Sequence, residues 1–185
     1  MNLYLLFAEL LDYPNDSLPQ RAEEYSLEIA TAFPKATKLL KSFQRSQQEL
    51  GITRLQEAYT STFDLQPECT LNLGYHLFGE DQRCGMFLAK LKELFQEAGV
   101  DTGKELPDHL CYLLRYVAAR PGSDKSSAII SDCLLPAASK IAQGMNEKLN
   151  PYRPVVEALL LWLEGESQSE AVLSGMHIDS SHVSS

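Results

Sequence analysis

Apolar residues recur every three or four positions along most of the chain, which is the spacing of one buried helix face. The clearest run extends from Asp81 to Ala98 and ends at Gly99, a residue type that suits the C-terminus of a helix. Pro136 lies inside another such run and should kink that helix, because proline removes a backbone donor. The same spacing predicts helices over residues 3–10, 16–33, 34–50, 52–63, 107–120, 130–145 and 156–163.

Residues 64–80 do not fit one pattern. Their apolar positions alternate as in a strand, but they also match one face of a helix, and periodicity cannot decide over so short a stretch. Gly74, Gly79 and Pro67 make this the least regular part of the body of the chain. Irregular segments held on a rigid scaffold are where binding residues often collect.

Composition supports a helical fold. Among 185 residues there are 30 leucines and 16 alanines, against 12 isoleucines and valines together. Unbranched side chains lose little rotamer freedom in a helix, whereas β-branched ones lose more. We therefore predict an all-α, single-domain helical bundle of roughly seven to nine helices.

The formal net charge of −9 is unevenly distributed. No basic residue follows Arg153, but five acidic residues do, so the chain up to Arg153 carries only −4. We predict a helical domain over residues 1–164 and a flexible acidic, Ser-rich tail over residues 165–185. So acidic a chain is a poor candidate for binding nucleic acid, whose phosphates require cations, and better suited to a basic partner.

The sequence predicts a cytoplasmic protein without membrane insertion. Its longest unbroken apolar run, Ala158 to Leu163, is far shorter than the ~20 residues that span a bilayer. The apolar N-terminus is interrupted by Glu9 and precedes the first basic residue, Arg21, so it does not resemble a signal peptide. The four cysteines are widely spaced and form no CxxC pair, as is typical of buried thiols in a reducing compartment.

Catalytic and metal-binding patterns are weak. The segment from Gly99 to Gly103 lacks the lysine and hydroxyl residue of a phosphate-binding loop. The spacing of Cys69, His76 and Cys84 matches no zinc site, so we expect no metal and no catalytic residue. A thiol- or metal-dependent enzyme that uses Cys84 or Cys111 with His109 stays an alternative, since such partners need only meet in space. A helical dimerisation or regulatory module is another.

Two clusters mix aromatic rings with carboxylates. One lies in residues 59–64 and 75–81 and the other in residues 106–110. Aromatic rings offer rigid apolar area and carboxylates attract cations, a combination that suits a peptide bearing both arginine and apolar residues. The candidate peptide-binding residues are Tyr59, Phe63, Asp64, Tyr75, His76, Glu80, Asp81, Asp108 and His109.

These clusters resemble the nitrate reductase delta-subunit family, the NarJ-type molybdenum cofactor assembly chaperones within the wider TorD-like group. The resemblance rests on the runs YTSTFDL at 59–65 and YHLFGED at 75–81, on LPDHL at 106–110 and on PYR at 151–153. The chain differs from the usual pattern at Cys84, where the family has arginine, and at Cys111 and Arg115, where it often has proline and glutamate. These differences leave the identity of the client open.

The resemblance implies a chaperone without catalytic activity. Such proteins bind the apo form of the catalytic, molybdopterin-binding subunit of an oxidoreductase, often at its N-terminal twin-arginine signal or a remnant of it. They support insertion of the molybdenum cofactor and assembly of the complex. The expected client is a molybdoenzyme such as a respiratory nitrate reductase, and the nine candidate residues would hold its peptide. We expect no stably bound cofactor, transient contact with the client's molybdenum cofactor at most, and a monomer or homodimer.

Overall fold

The computed structural model describes residues 2–18, 33–103, 105–145 and 149–179, with side chains up to residue 168. Within these ranges the chain forms eight α-helices and no β-strand, so the prediction of an all-α domain is confirmed. The helix predicted over residues 16–33 lies mostly outside the described residues. The helices are α1 (Leu3–Leu10), α2 (Pro34–Tyr59), α3 (Leu73–Phe78), α4 (Arg83–Ala98), α5 (Leu110–Ala119), α6 (Asp124–Ile129), α7 (Leu135–Gly144) and α8 (Arg153–Asp179).

Several helix ends follow directly from the sequence. Gly51 has a φ of 70° and divides α2 at the predicted position, and Gly99 takes the left-handed conformation that ends α4. The Asn2 side chain accepts a hydrogen bond from the Tyr4 amide at the start of α1. The Ser123 side chain caps α6 in the same way. Such caps satisfy backbone amides that the helix itself leaves free.

The core lies between α8 and the helices around it. Helix α1 packs against α5 and α8, while α2 and α7 also pack on α8. Tyr152, which is fully buried, is in ring contact with Phe43, Tyr59 and Phe63, at centroid distances of 5.6, 5.5 and 5.3 Å. Its hydroxyl donates to the Leu55 carbonyl at 3.3 Å. This aromatic cluster packs α2 and Phe63 against the residue that precedes α8.

Where the sequence predicts a helix kink at Pro136, the structure has a π-helical turn just before this residue. Residues Ile130–Leu134 form a π-helical turn between α6 and α7, and Pro136 lies in the first turn of α7. A proline fits there because the first-turn amides of a helix need no partner within that helix.

Helix α8 continues to Asp179, past residue 164, where the sequence predicts the domain to end. The Tyr4 hydroxyl donates to the Glu166 carboxylate at 2.8 Å, so this part of the chain contacts α1. The flexibility of residues 165–185 stays a prediction, and residues 180–185 lie outside the described ranges.

No helix in the described part of the chain is both long and apolar enough to span a bilayer.

Candidate functional site

A cavity of about 230 Å³ opens between the loop after α1, the end of α2 and the start of α5. Four of the nine candidate residues, Tyr59, Phe63, Asp64 and His109, line it. The other lining residues are Asp12, Tyr13, Thr70, Leu71, Asn72, Glu105, Cys111, Tyr112 and Arg115. The cavity thus brings together three carboxylates, four aromatic rings and one guanidinium.

A π-helical turn, Thr60–Asp64, continues α2 into the cavity wall. Its wide hydrogen bond, from the Leu65 amide to the Thr60 carbonyl at 3.1 Å, rotates the chain relative to an α-helix. Phe63 consequently faces the core at 3% exposure, while Asp64 is exposed at the cavity. Tyr59 is anchored by its hydroxyl, which donates to the Leu11 carbonyl at 3.2 Å.

The ambiguous segment 64–80 forms a short 3-10 turn at Pro67–Cys69, followed by α3. Between the 3-10 turn and α3, Asn72 forms an isolated antiparallel β-bridge with His109. The Leu110 amide donates to the Leu71 carbonyl at 2.8 Å, and the Leu73 amide donates to the Asp108 carbonyl at 3.0 Å. This bridge fixes the loop before α5 against the cavity wall. The alternation of apolar residues in the sequence therefore corresponds to one short extended segment with a single β-bridge, and not to a β-strand.

The charged groups of the cavity fall into two kinds. Asp12 and Arg115 form an ion pair, with 2.5 Å between Oδ2 and Nη2, and the Arg115 guanidinium lies over the Tyr112 ring at 5.3 Å from its centroid. The carboxylates of Asp64 and Glu105 have neither an ion pair nor a hydrogen bond within the described part of the chain, and both residues are exposed. The cavity is consequently rich in negative charge that no side chain in the described ranges neutralises.

His109 contributes a neutral side chain. Its Nδ1 accepts the Cys111 amide at 3.4 Å, which caps α5 and leaves the proton of the neutral ring on Nε2. Burial lowers the pKa of His109, although the nearby carboxylates of Glu105 and Asp12 oppose that effect. The ring adds hydrogen-bonding capacity to the cavity without adding positive charge at neutral pH.

Three of the candidate residues lie elsewhere, on the exposed surface around α3 and the start of α4. Tyr75 is 46% exposed and contacts the His76 ring edge-on. Glu80 and Asp81 occupy the turn before α4. Asp81 accepts the Arg83 amide at 2.8 Å and pairs with the guanidinium at 3.1 Å, and these contacts lower the pKa of the Asp81 carboxyl. These residues are not among those that line the cavity.

The last two candidate residues, His76 and Asp108, are buried behind the cavity wall. His76 Nε2 donates to the Thr70 carbonyl at 2.7 Å, and burial lowers the pKa of the ring. Asp108 is 2% exposed, and its Oδ2 accepts the Gly74 amide at 2.8 Å. Both side chains therefore fix backbone around the bridge, and neither lines the cavity.

Nine cavity residues are absent from the set predicted by sequence, and five of them are charged or aromatic: Asp12, Tyr13, Glu105, Tyr112 and Arg115. The spacing of Tyr112 and Arg115 on α5, three positions apart, indicates that they share a face. Nothing in the sequence pairs Arg115 with Asp12, since 103 positions separate them.

The thiols lack the features of catalytic nucleophiles. Cys111 is 1% exposed, and burial raises the pKa of its thiol far above the usual value. Burial also raises the pKa of Cys84, and it raises that of Cys133 to about 11. A nucleophilic cysteine needs the opposite shift, which an electropositive setting supplies. Among the described residues, no group of three or more His, Cys, Asp or Glu side chains is arranged to hold a metal ion.

An all-helical domain with an acidic and aromatic cavity, and with thiols whose pKa values are raised, has the character of a binding protein. The profile of the family described as "Nitrate reductase delta subunit" matches residues 26–158. The chain belongs to this family, as the sequence motifs predict.

Two curated relatives are chaperones by name. The nitrate reductase molybdenum cofactor assembly chaperone NarJ of Escherichia coli K12 is 26% identical over 160 residues, covering 84% of this chain and 67% of the relative. A probable NarJ chaperone of Bacillus subtilis 168 is 26% identical over 166 residues, covering 88% and 89%. Both names are those of assembly chaperones and not of enzymes.

A crystal structure from Archaeoglobus fulgidus, described as a redox enzyme maturation protein, has the same fold. The TM-score is 0.64 over 88% of this chain and 93% of the other, with 22% sequence identity.

Proposed function

We propose that this chain is a cytoplasmic maturation chaperone for a molybdoenzyme such as a respiratory nitrate reductase. It binds the apo catalytic subunit, supports insertion of the molybdenum cofactor and releases the subunit for assembly. Membership in the delta-subunit family and the names of its relatives support this role. The observation that carries the proposal is the acidic, aromatic cavity between α1, α2 and α5.

The chemistry of the cavity suits the N-terminal twin-arginine signal of a client, or a remnant of one. The exposed carboxylates of Asp64 and Glu105 attract a basic segment and speed its encounter. Tyr13, which is 50% exposed, offers an aromatic face for the apolar residues of the same peptide. A volume of about 230 Å³ is below the ~300–1,000 Å³ typical of pockets for whole small ligands. It accommodates a few side chains of a peptide that otherwise lies along the surface.

We infer that the chaperone binds no cofactor stably and touches the client's molybdenum cofactor only during insertion. The partner is the catalytic subunit, and the chaperone acts as a monomer or homodimer. Metal analysis of the purified chain and its mass in solution, measured by light scattering, test these two statements.

Calorimetry with a synthetic peptide tests the site. The peptide corresponds to the N-terminus of the molybdoenzyme catalytic subunit that is encoded beside this chain. Asp64→Asn and Glu105→Gln should each weaken binding by about two- to fivefold, as expected for loss of one exposed charge contact. Added salt should weaken wild-type binding as well, since it screens exposed charges.

Glu80→Gln is the matched control, because it removes the same charge from an exposed position outside the cavity. Its affinity should equal that of the wild type. Absence of wild-type binding contradicts the proposed function. A loss with Glu80→Gln as large as the loss with the cavity variants contradicts the location of the site.

A further inference from the structure

The Asp12–Arg115 ion pair lies between two hollows. A second hollow of about 170 Å³ adjoins the cavity on the side of α1 and is lined in part by Leu5 and Leu18. Asp12, Tyr13 and Arg115 line both hollows. The ion pair therefore separates the two hollows. Movement of the Arg115 side chain would join the hollows into one groove.

The surroundings of the Arg115 guanidinium define what this position binds. One face lies over the Tyr112 ring, 5.3 Å from its centroid, and Nη2 donates to Asp12 Oδ2 at 2.5 Å. An aromatic face with a carboxylate at its edge is the usual environment of a bound guanidinium. The pair is nevertheless accessible, since the side chains of Arg115 and Asp12 are 31% and 49% exposed.

We propose that Asp12 and the Tyr112 ring form a subsite for an arginine of the bound peptide, which Arg115 fills while the site is empty. The proposal rests on the proposed function, because it names how the same cavity recognises its ligand. An incoming guanidinium replaces the guanidinium of Arg115, so Asp12 never loses its partner. The displaced Arg115 side chain turns to solvent, and the two hollows open into a groove that follows the peptide.

This exchange makes the site selective for arginine, and competition from Arg115 limits the affinity for the peptide. A lysine cannot reproduce the flat contact with Tyr112 or the directed bond to Asp12 as well as arginine does. Citrulline keeps the shape of arginine but lacks its charge. Competition from Arg115 lowers the affinity for any arginine peptide by the strength of the internal pair. For a half-exposed ion pair that factor is about two to five.

Removal of the internal competitor is the direct test. Arg115→Gln should bind a synthetic peptide with two adjacent arginines and flanking apolar residues about two- to fivefold more tightly than the wild type. Binding of the same peptide with both arginines replaced by citrulline should not change. Arg120→Gln is the matched control, because it removes the same charge from the end of α5, where Arg120 contacts the Glu97 carbonyl outside the cavity. It should leave both affinities unchanged.

Asp12→Asn gives a second, independent measurement. This variant should lose the part of the preference for the arginine peptide over the citrulline peptide that Asp64 and Glu105 do not supply, and adding Arg115→Gln to it should not restore that part. Circular dichroism verifies that each variant is folded. The Asp12→Asn result stands even if Arg115→Gln does not fold.

The outcomes separate the subsite from the function on which it rests. If the wild type binds the arginine peptide and Asp64→Asn weakens that binding, but Arg115→Gln does not strengthen it, the subsite is refuted and the proposed function stands. An equal gain for the citrulline peptide also refutes the subsite. If the wild type binds neither the arginine peptide nor the client peptide, both proposals are refuted.

Discussion

The buried carboxyl of Asp108 gives a prediction that distinguishes a structural role of this residue from a role in peptide binding. Asp108 is 2% exposed, its Oδ2 accepts the Gly74 amide at 2.8 Å, and its Oδ1 has no partner within the described residues. Burial raises the pKa of this carboxyl above the usual 3.8, although the hydrogen bond from Gly74 opposes the shift. Asparagine can keep the bond to Gly74 through its amide oxygen, while alanine cannot.

The two substitutions at Asp108 should change the free energy of unfolding by different amounts. Asp108→Ala leaves the buried Gly74 amide without a partner, which should lower the free energy of unfolding by about 1–3 kcal/mol. Asp108→Asn avoids that loss and also removes the group whose ionised form burial disfavours. We therefore expect Asp108→Asn to be the more stable of the two variants at every pH.

The pH dependence of Asp108→Asn has a definite sign. Between pH 3.8 and the raised pKa of the folded state, the native chain keeps a proton that the unfolded chain has lost. The contribution of Asp108 to stability is complete below 3.8 and is lost as the pH rises through the folded pKa, with a slope of at most about 1.4 kcal/mol per pH unit. The free energy of unfolding of Asp108→Asn relative to wild type should therefore increase with pH. His76 titrates in both proteins, so its contribution cancels in this difference. The Asp108 carboxylate raises the pKa of His109, so Asp108→Asn lowers that pKa further and adds an increase with pH of the same sign.

Urea unfolding followed by circular dichroism, from about pH 4 to 8, measures this difference. A flat difference for Asp108→Asn, or one that falls with increasing pH, would refute the reasoning. Calorimetry with the client peptide completes the test. Unchanged affinity of Asp108→Asn supports a role in holding the loop, and lost affinity in a folded variant contradicts it.

Four further substitutions test the backbone and the core by thermal unfolding. Gly74→Ala should destabilise the chain by about 1–3 kcal/mol, because a Cβ there would lie 2.6 Å from a neighbouring sulfur and 2.8 Å from a carboxylate oxygen; unchanged stability would contradict that close packing. Gly51→Ala should cost about 1–3 kcal/mol, since its φ of 70° with a ψ of 170° is almost confined to glycine. Gly85→Ala, in α4 with open space around it, should instead stabilise the chain by about 0.5–1 kcal/mol, and a loss at Gly85 would refute this contrast. Tyr152→Phe should cost about 0.5–1.5 kcal/mol through loss of the bond to the Leu55 carbonyl, and no change would mean that this bond contributes nothing net.

The helices could be predicted from the sequence because their causes are local. An apolar face repeats within each segment, and Gly51 and Gly99 end helices at the predicted positions. Tyr59, Phe63 and Asp64 reach one cavity for the same reason, since they belong to one continuous helical stretch that ends in a π-helical turn. The sequence gives no sign of that turn, which depends on how the stretch packs.

The remaining cavity residues depend on contacts between distant segments. Asp12 and Arg115 meet because α1 packs on α5, a fact of tertiary structure that no local pattern contains. The burial of Asp108 also depends on tertiary structure and could not be predicted from the local sequence. A carboxylate beside a histidine predicts a ligand contact and a backbone contact equally well, and only the fold shows that Asp108 bonds to Gly74.

The motifs that identify the family therefore contain two kinds of residue with separate physical tasks. Asp108 and His76 are buried and satisfy backbone groups, so their substitution should change stability and its pH dependence. Asp64, and Glu105 immediately before the LPDHL motif, are exposed and lack partners within the described chain, so their substitution should change affinity and its salt dependence. The two kinds are connected, because the bridge that Asp108 stabilises holds the loop that carries Glu105 to the cavity. Under the proposed function, a loop held in place by buried hydrogen bonds presents exposed carboxylates to a basic peptide, so the site needs no large apolar pocket.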